Sequence, residues 1–188
     1  MTTATQTTVI NGVRTEELFK TMDAIREAPA IAKFNFKLQN KWEGGGQNRS
    51  TVQDFYGALG DIRRDKAFVM YADEPPLLLG KDSAPNPVEH LLHALTSCVT
   101  TSVVYHSAAR GIEIQALESS VEGDLDLQGF LGLDETVRPG YQAIRINFRI
   151  KADVPDSQIQ EIVKLSRFSP VYDTVSKSTK VEITGERL

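Results

Sequence analysis

Cysteine is almost missing from this sequence: Cys98 is the only one. A single thiol excludes an intrachain disulfide and a cysteine-rich zinc site, and it points to a reducing compartment, so a cytoplasmic protein is expected. Long apolar runs are missing too. No stretch reaches the roughly 18 apolar residues of a membrane span, so no membrane partner is expected. The opening residues, MTTATQTT, contain neither a basic nor an apolar segment, which makes them a loose tail rather than a secretory signal. Positive charge is scarce: 21 Lys and Arg against 25 Asp and Glu leave a net charge of −4. A nucleic-acid partner needs a concentrated basic face, and none is present. The one adjacent basic pair, Arg63-Arg64, is flanked by Asp61 and Asp65. No internal repeat recurs at a fixed period, which excludes solenoids and propellers.

What is present describes an ordinary globular chain. Of 188 residues 40% are hydrophobic and 24% charged, values that rule out global disorder and fit one domain with a real core. Leu18, Phe19, Met22 and Ile25 recur at helical spacing and predict a helix over 15–30. Phe34, Phe36 and Leu38 alternate with Asn35, Lys37 and Gln39, a half-buried strand that reaches Trp42. Further strands are expected over Arg49–Tyr56, Ala67–Tyr71, residues 112–126, Tyr141–Ile150 and Lys180–Thr184. A helix from Asp156 or Ser157 carries Ile159, Ile162, Val163 and Leu165 and breaks near Ser169-Pro170. Strands and helices come in blocks rather than in βαβ alternation, so the fold class is α+β.

One helix has unusually clear ends. Asn86 is placed to cap it, Pro87 to occupy its first position and Glu89 to complete a capping box. It runs to Arg110, where Gly111 supplies a left-handed stop. At 100° per residue, Leu91, Ala94, Leu95, Ser102, Tyr105 and Ala109 fall within about 60° of Cys98. Leu92, Val103 and Val104 fill the flanks, so a helix buried on several sides is expected, with Cys98 facing the core or a pocket beside it. An inert core thiol is the common fate of such a cysteine. A reactive thiol needs a cation beside it, because at pH 7 an unperturbed thiol with a pKa of about 8.5 is only a few per cent ionised.

The run Ala84-Pro85-Asn86-Pro87-Val88-Glu89-His90-Leu91-Leu92-His93-Ala94-Leu95-Thr96-Ser97-Cys98 resembles the Asn-Pro to Cys helix of the OsmC/Ohr family. Trp42-Glu43-Gly44, Arg110-Gly111-Ile112 and Ser169-Pro170-Val171 are similar to family segments in type and order. The resemblance covers about residues 32–187. It implies an OsmC-like domain over 32–188, preceded by a tail and helical arm over 1–31, with antiparallel-rich sheets around a long buried central helix. It also implies an intertwined homodimer with active sites at the subunit interface. Family members that act on organic hydroperoxides use a peroxidatic Cys, an Arg that stabilises its thiolate, a Glu that orients the Arg, and a resolving Cys. Here Cys98 matches the peroxidatic position and Ser169 the resolving one, where a serine cannot form a disulfide. The usual Glu position holds Val88. Glu89, one residue on, matches a subset of divergent relatives, and it lies about 13 Å along the helix from Cys98 on the opposite face, so it serves only a partner subunit's site. Arg49 is the candidate Arg.

Two functions follow from the resemblance. One is a thiol peroxidase that reduces organic or lipid hydroperoxides through Cys98, assisted by Arg49 and Glu89. It has no resolving Cys, so an external thiol must act as reductant, and it needs no cofactor. The other is a non-catalytic relative that binds a small hydrophobic ligand at the dimer interface. Other motifs carry less. His90 and His93, with Glu89, sketch a metal site, but His106 lies over three turns from His93, so satisfied imidazoles and no metal are expected. Gly44-Gly45-Gly46 lacks the Gly-Lys-Ser/Thr of a phosphate loop.

Overall fold

Asn11-Gly12 sets the first turn. Both residues have positive φ, 54° and 76°, as a type I′ hairpin turn requires, and they join β1 (Val9–Ile10) to β2 (Val13–Arg14). The computed structural model describes residues 8–187; all of the expected loose tail but Thr8 lies outside the described residues. The Thr8 carbonyl accepts from both the N–H and the Oγ1 of Thr15, each at 3.1 Å. That contact seats the start of α1 (Thr15–Glu27), in which Thr15 is the first helical residue rather than its cap. A 3-10 turn at Pro29–Ala32 ends the arm. The chain forms two compact units, one running to Leu91 and the other from Leu92 onward.

The first unit holds the short strands. β3 (Asn35–Phe36), β4 (Gln39–Gly44), β5 (Gln47–Val52), β6 (Phe55–Gly57), β7 (Gly60–Ile62) and β8 (Phe68–Ala72) build two antiparallel sheets, ordered β3-β6-β7 and β4-β5-β8. Both long strands expected between Phe34 and Tyr56 are therefore broken. The second break has a visible cause. Arg64 donates through Nη1 to the Gln53 carbonyl at 2.7 Å and through its N–H to Asp54 Oδ1 at 3.1 Å, while Gln53 Nε2 donates to the Arg64 carbonyl. The first of these bonds occupies the Gln53 carbonyl, a group a continuous ladder would use. The alternating aromatics are not half-buried as expected: Phe36 is 67% exposed, and it gathers with Phe34 and Phe55 at ring separations of 5.2–6.2 Å.

α2 (Pro87–Ala108) is the long helix. Gly111, at φ +70°, ends it as expected, with the Ile112 N–H on the Ser107 carbonyl and the Gly111 N–H on the Ala108 carbonyl, both 3.0 Å. This pair of bonds satisfies two carbonyls that the helix end leaves open. In the second unit β9 (Ile114–Asp124) pairs antiparallel with β10 (Ala143–Ala152). Ile144, Ile146, Phe148 and Ile150 take one half-buried face, opposite Gly123, Val121, Ser119 and Leu117. The other face is charged, with Arg145 reaching Glu122 and Asp124, and Arg149 reaching Glu118. After β9 a single turn, α3 (Leu127–Phe130), is capped by Asp126. α4 (Asp156–Lys164) buries Ile162, a 3-10 turn buries Leu165, and α5 (Pro170–Ser176) follows.

The expected strand Lys180–Thr184 does not form. Residues 178–187 have no regular structure, and Val181 and Ile183 are 76% and 91% exposed. An apolar alternation becomes a strand only where a neighbouring strand presents its free N–H and C=O groups, and among the described residues none pairs with it.

Candidate active site

The site residues hang on α2 and β5. The helix start is the capping box expected from sequence: the Glu89 N–H donates to Asn86 Oδ1 and the Asn86 N–H donates to Glu89 Oε2, both at 2.8 Å. Each partner satisfies an N–H that the first turn leaves open. Glu89 thus has one carboxylate oxygen engaged in the cap. Its neighbour His90 places Nε2 2.8 Å from the Tyr71 carbonyl, so this imidazole is satisfied by backbone.

Cys98 is less buried than its surroundings in sequence suggest. The helix buries one stripe, Leu95, Val99, Val103 and Ser107, each four residues apart. Cys98 lies to one side of that stripe and is half-buried. Its own face also holds Ala94, Leu91 (39% exposed) and Tyr105 (49% exposed). Leu95 on this face and Ala108 are buried too, and Ser102 and Ala109 beside the thiol are half-buried, so Cys98 lies at the boundary between the buried stripe and these exposed apolar side chains.

Arg49 sits in the middle of β5, the central strand of its sheet, rather than at a strand end. It is half-buried, with Lys41 directly across on β4 and Tyr71 directly across on β8. Among the described residues its guanidinium makes no ion pair. Arg49 and Glu89 belong to the first unit and Cys98 to the second.

Ser169, at the resolving position, is 1% exposed, and its Oγ accepts the Tyr172 N–H at 3.1 Å as the cap of α5. Serine is among the best residues for that role, so the position has a structural use for its hydroxyl. Just before it, Phe168 stacks on His106 at 4.3 Å between ring centroids. Arg110 donates to the His106 carbonyl at 2.8 Å and approaches Nδ1 at 3.4 Å. Burial, and then the Arg110 charge, hold this imidazole below its ordinary range.

Sequence reasoning missed one residue altogether. Asp73 is buried at the end of β8, and its carboxylate accepts from Ser83 Oγ at 2.6 Å and from the N–H groups of Glu74, Lys81 and Ser83. The Ser83 hydroxyl, with the backbone donors, brings its pKa down to about 2. This carboxylate closes the loop that delivers the chain to Asn86. Gly80 completes the closure, because a Cβ there would lie 1.7 Å from the Glu74 carbonyl oxygen. A lone Asp with a Ser ten residues on has no local pattern by which to be found.

An α+β fold of antiparallel sheets with a long helix bearing the only thiol defines the class. The chain belongs to the OsmC-like protein family, whose model matches residues 80–184, more than half of its length and all of α2. Arg49 lies outside the matched segment. Solved structures share the fold. The OsmC-like protein of Mycoplasma pneumoniae is 16% identical with a TM-score of 0.58, covering 77% of this chain and 89% of its own. An OsmC-like protein of Vibrio cholerae is 10% identical at a TM-score of 0.57, covering 78% and 95%. An organic hydroperoxide resistance protein, OsmC, of Legionella pneumophila is 12% identical at 0.50, covering 75% and 88%. No curated protein matches the chain. No described helix is long and apolar enough to cross a membrane.

Proposed function

We propose that the protein is a one-cysteine thiol peroxidase that reduces organic hydroperoxides. The observation that supports this most is the position of Cys98, half-buried beside exposed Leu91 and Tyr105 rather than sealed in the core. A hydroperoxide with an apolar body can lie on Leu91, Ala94 and Tyr105 and present its peroxide to the sulfur. The Cys98 thiolate attacks the distal oxygen, the O–O bond breaks, and the leaving alkoxide takes a proton to become the alcohol. Cys98 is left as a sulfenic acid. An external thiol then forms a mixed disulfide with Cys98 and releases water. A second thiol displaces Cys98 and completes the external disulfide. A reducing compartment such as the cytoplasm supplies both.

Arg49, half-buried and making no ion pair among the described residues, is the cation proposed to hold the thiolate and polarise the peroxide. Glu89 is proposed to orient Arg49 across a homodimer, with the exposed apolar side chains of α2 covered by a second copy. The rival reading, a non-catalytic protein that binds a small hydrophobic ligand on the same face, draws on Ser169, whose buried hydroxyl serves as a cap and cannot resolve a sulfenic acid.

One equivalent of cumene hydroperoxide decides between them. Intact mass spectrometry should show the gain of one oxygen, trapped by dimedone and absent from Cys98→Ser. Excess dithiothreitol should regenerate the thiol, and light scattering should give the mass of a dimer. A wild-type protein that stays unmodified would hand the face to the ligand-binding reading.

A further inference from the structure

Strand register in the first unit sets two cations side by side. Lys41 on β4 is directly opposite Arg49 on β5, and Tyr71 on β8 is opposite Arg49 on its other side. Directly opposite residues in an antiparallel pair share one face, with Cβ atoms about 4.5–5.5 Å apart, and like charges placed there repel. Arg49 is also half-buried, and an unpaired charge taken out of water carries a cost. An acidic side chain would ordinarily relieve both, yet neither cation makes an ion pair or a side-chain hydrogen bond among the described residues.

The reverse face of the same sheet is different. There Asn40 Nδ2 donates to Ser50 Oγ at 3.0 Å, Trp42 Nε1 to the Gly45 carbonyl at 3.0 Å and Asn48 Nδ2 to the Gly46 carbonyl at 3.1 Å. The acids near the cationic row are committed or displaced. Asp73, two residues beyond Tyr71, is held by Glu74, Lys81 and Ser83. Glu43, two beyond Lys41, falls at the register shift between Trp42 and Gly44.

We propose that Lys41 and Arg49 form a binding site for the carboxylate of a small organic acid. The Arg fork matches the two oxygens of a carboxylate, and the Lys ammonium adds a point charge beside it. On the β8 side of the same face Tyr71 and, one row on, Val69 give the site an apolar edge, while Gln39 and Thr51 fill the rest of that row. That edge suits the carbon skeleton of an organic acid and offers nothing to a free inorganic anion. The site lies wholly within the first unit and shares Arg49 with the proposed peroxidase, so a carboxylate bound here and the Cys98 thiolate exclude one another, whereas Lys41 belongs to this site alone.

Calorimetric titration of the full-length protein with octanoate, octanamide and sulfate tests it. Octanoate should bind, octanamide should not, and sulfate should bind more weakly than octanoate. Lys41→Gln should weaken octanoate by about fivefold or more, the order of one charge-assisted contact. Arg49→Lys, which keeps the charge and loses the fork, should weaken it as well, while Lys20→Gln on α1 should change nothing. Matching urea midpoints of Lys41→Gln and wild type keep the comparison one of binding. Absence of octanoate binding, equal binding of octanamide, sulfate as tight as octanoate, or no effect of Lys41→Gln each overturns the proposal. Peroxidase failure with Lys41-dependent octanoate binding would leave this site standing and remove only the reading of Cys98.

Discussion

Replacing Glu89 separates its structural use from its proposed catalytic one. Glu89→Ala deletes the acceptor 2.8 Å from the Asn86 N–H and removes a negative charge from the first turn of α2. Loss of a helix cap contact costs about 1 kcal/mol, and loss of the charge near the helix dipole about 0.3–1 kcal/mol. The sum, roughly 1–2 kcal/mol, is small against the roughly 5 kcal/mol or more that holds a native domain, so well over nine-tenths of the variant stays folded. Any large fall in peroxide turnover in Glu89→Ala therefore cannot come from unfolding. Glu89→Gln keeps an acceptor oxygen for Asn86 and loses only the charge, so it should recover most of the stability. The assay pairs urea midpoints with turnover of cumene hydroperoxide under excess dithiothreitol. If Glu89 orients Arg49 in a partner's site, Glu89→Gln keeps its midpoint and loses about tenfold or more in kcat/KM, the loss of one charged positioning contact. If the residue is a cap alone, turnover follows the folded fraction in both variants. A Glu89→Ala midpoint equal to wild type would refute the capping energetics on which the separation rests.

Two further outcomes follow from particular residues. Ala58 and Leu59 both have positive φ, 49° and 67°, in the turn between β6 and β7, at a cost of about 1–2 kcal/mol each for residues with a Cβ. Ala58→Asn with Leu59→Gly should raise stability by about 1 kcal/mol once the greater chain entropy of unfolded Gly is deducted; an unchanged urea midpoint would count against strain in that turn. His106, held below its ordinary range by burial and by Arg110, takes up a proton more readily in the unfolded chain. Its contribution is therefore full above about pH 6.5 and declines as pH falls from there. The urea midpoint of wild type should drop between about pH 7 and pH 5.5, and that drop should flatten in His106→Phe, which keeps the stack on Phe168; parallel pH profiles would show that His106 is not its source.

What the sequence determined by itself was everything written in neighbouring residues. The ends of α2 could be placed because Asn86, Pro87, Glu89 and Gly111 act within one turn of the backbone they cap. The alternation of β10 was equally plain, since a period of two needs no knowledge of the partner strand. The same helix put Cys98 at a recognisable position, and the matched family segment contains it. Tertiary structure decided the rest. Arg64 breaks one expected strand from eleven residues away, and Asp73 gathers a loop whose donors lie up to ten residues ahead. Residues 180–184 have the alternation of a strand and no strand beside them. Register alone puts Lys41, Arg49 and Tyr71 in one row. Cys98 was expected to face the core or a pocket beside it, and which of the two holds depends on how much surface the rest of the chain brings to cover it. The thiol is half-buried beside the stripe Leu95, Val99 and Val103.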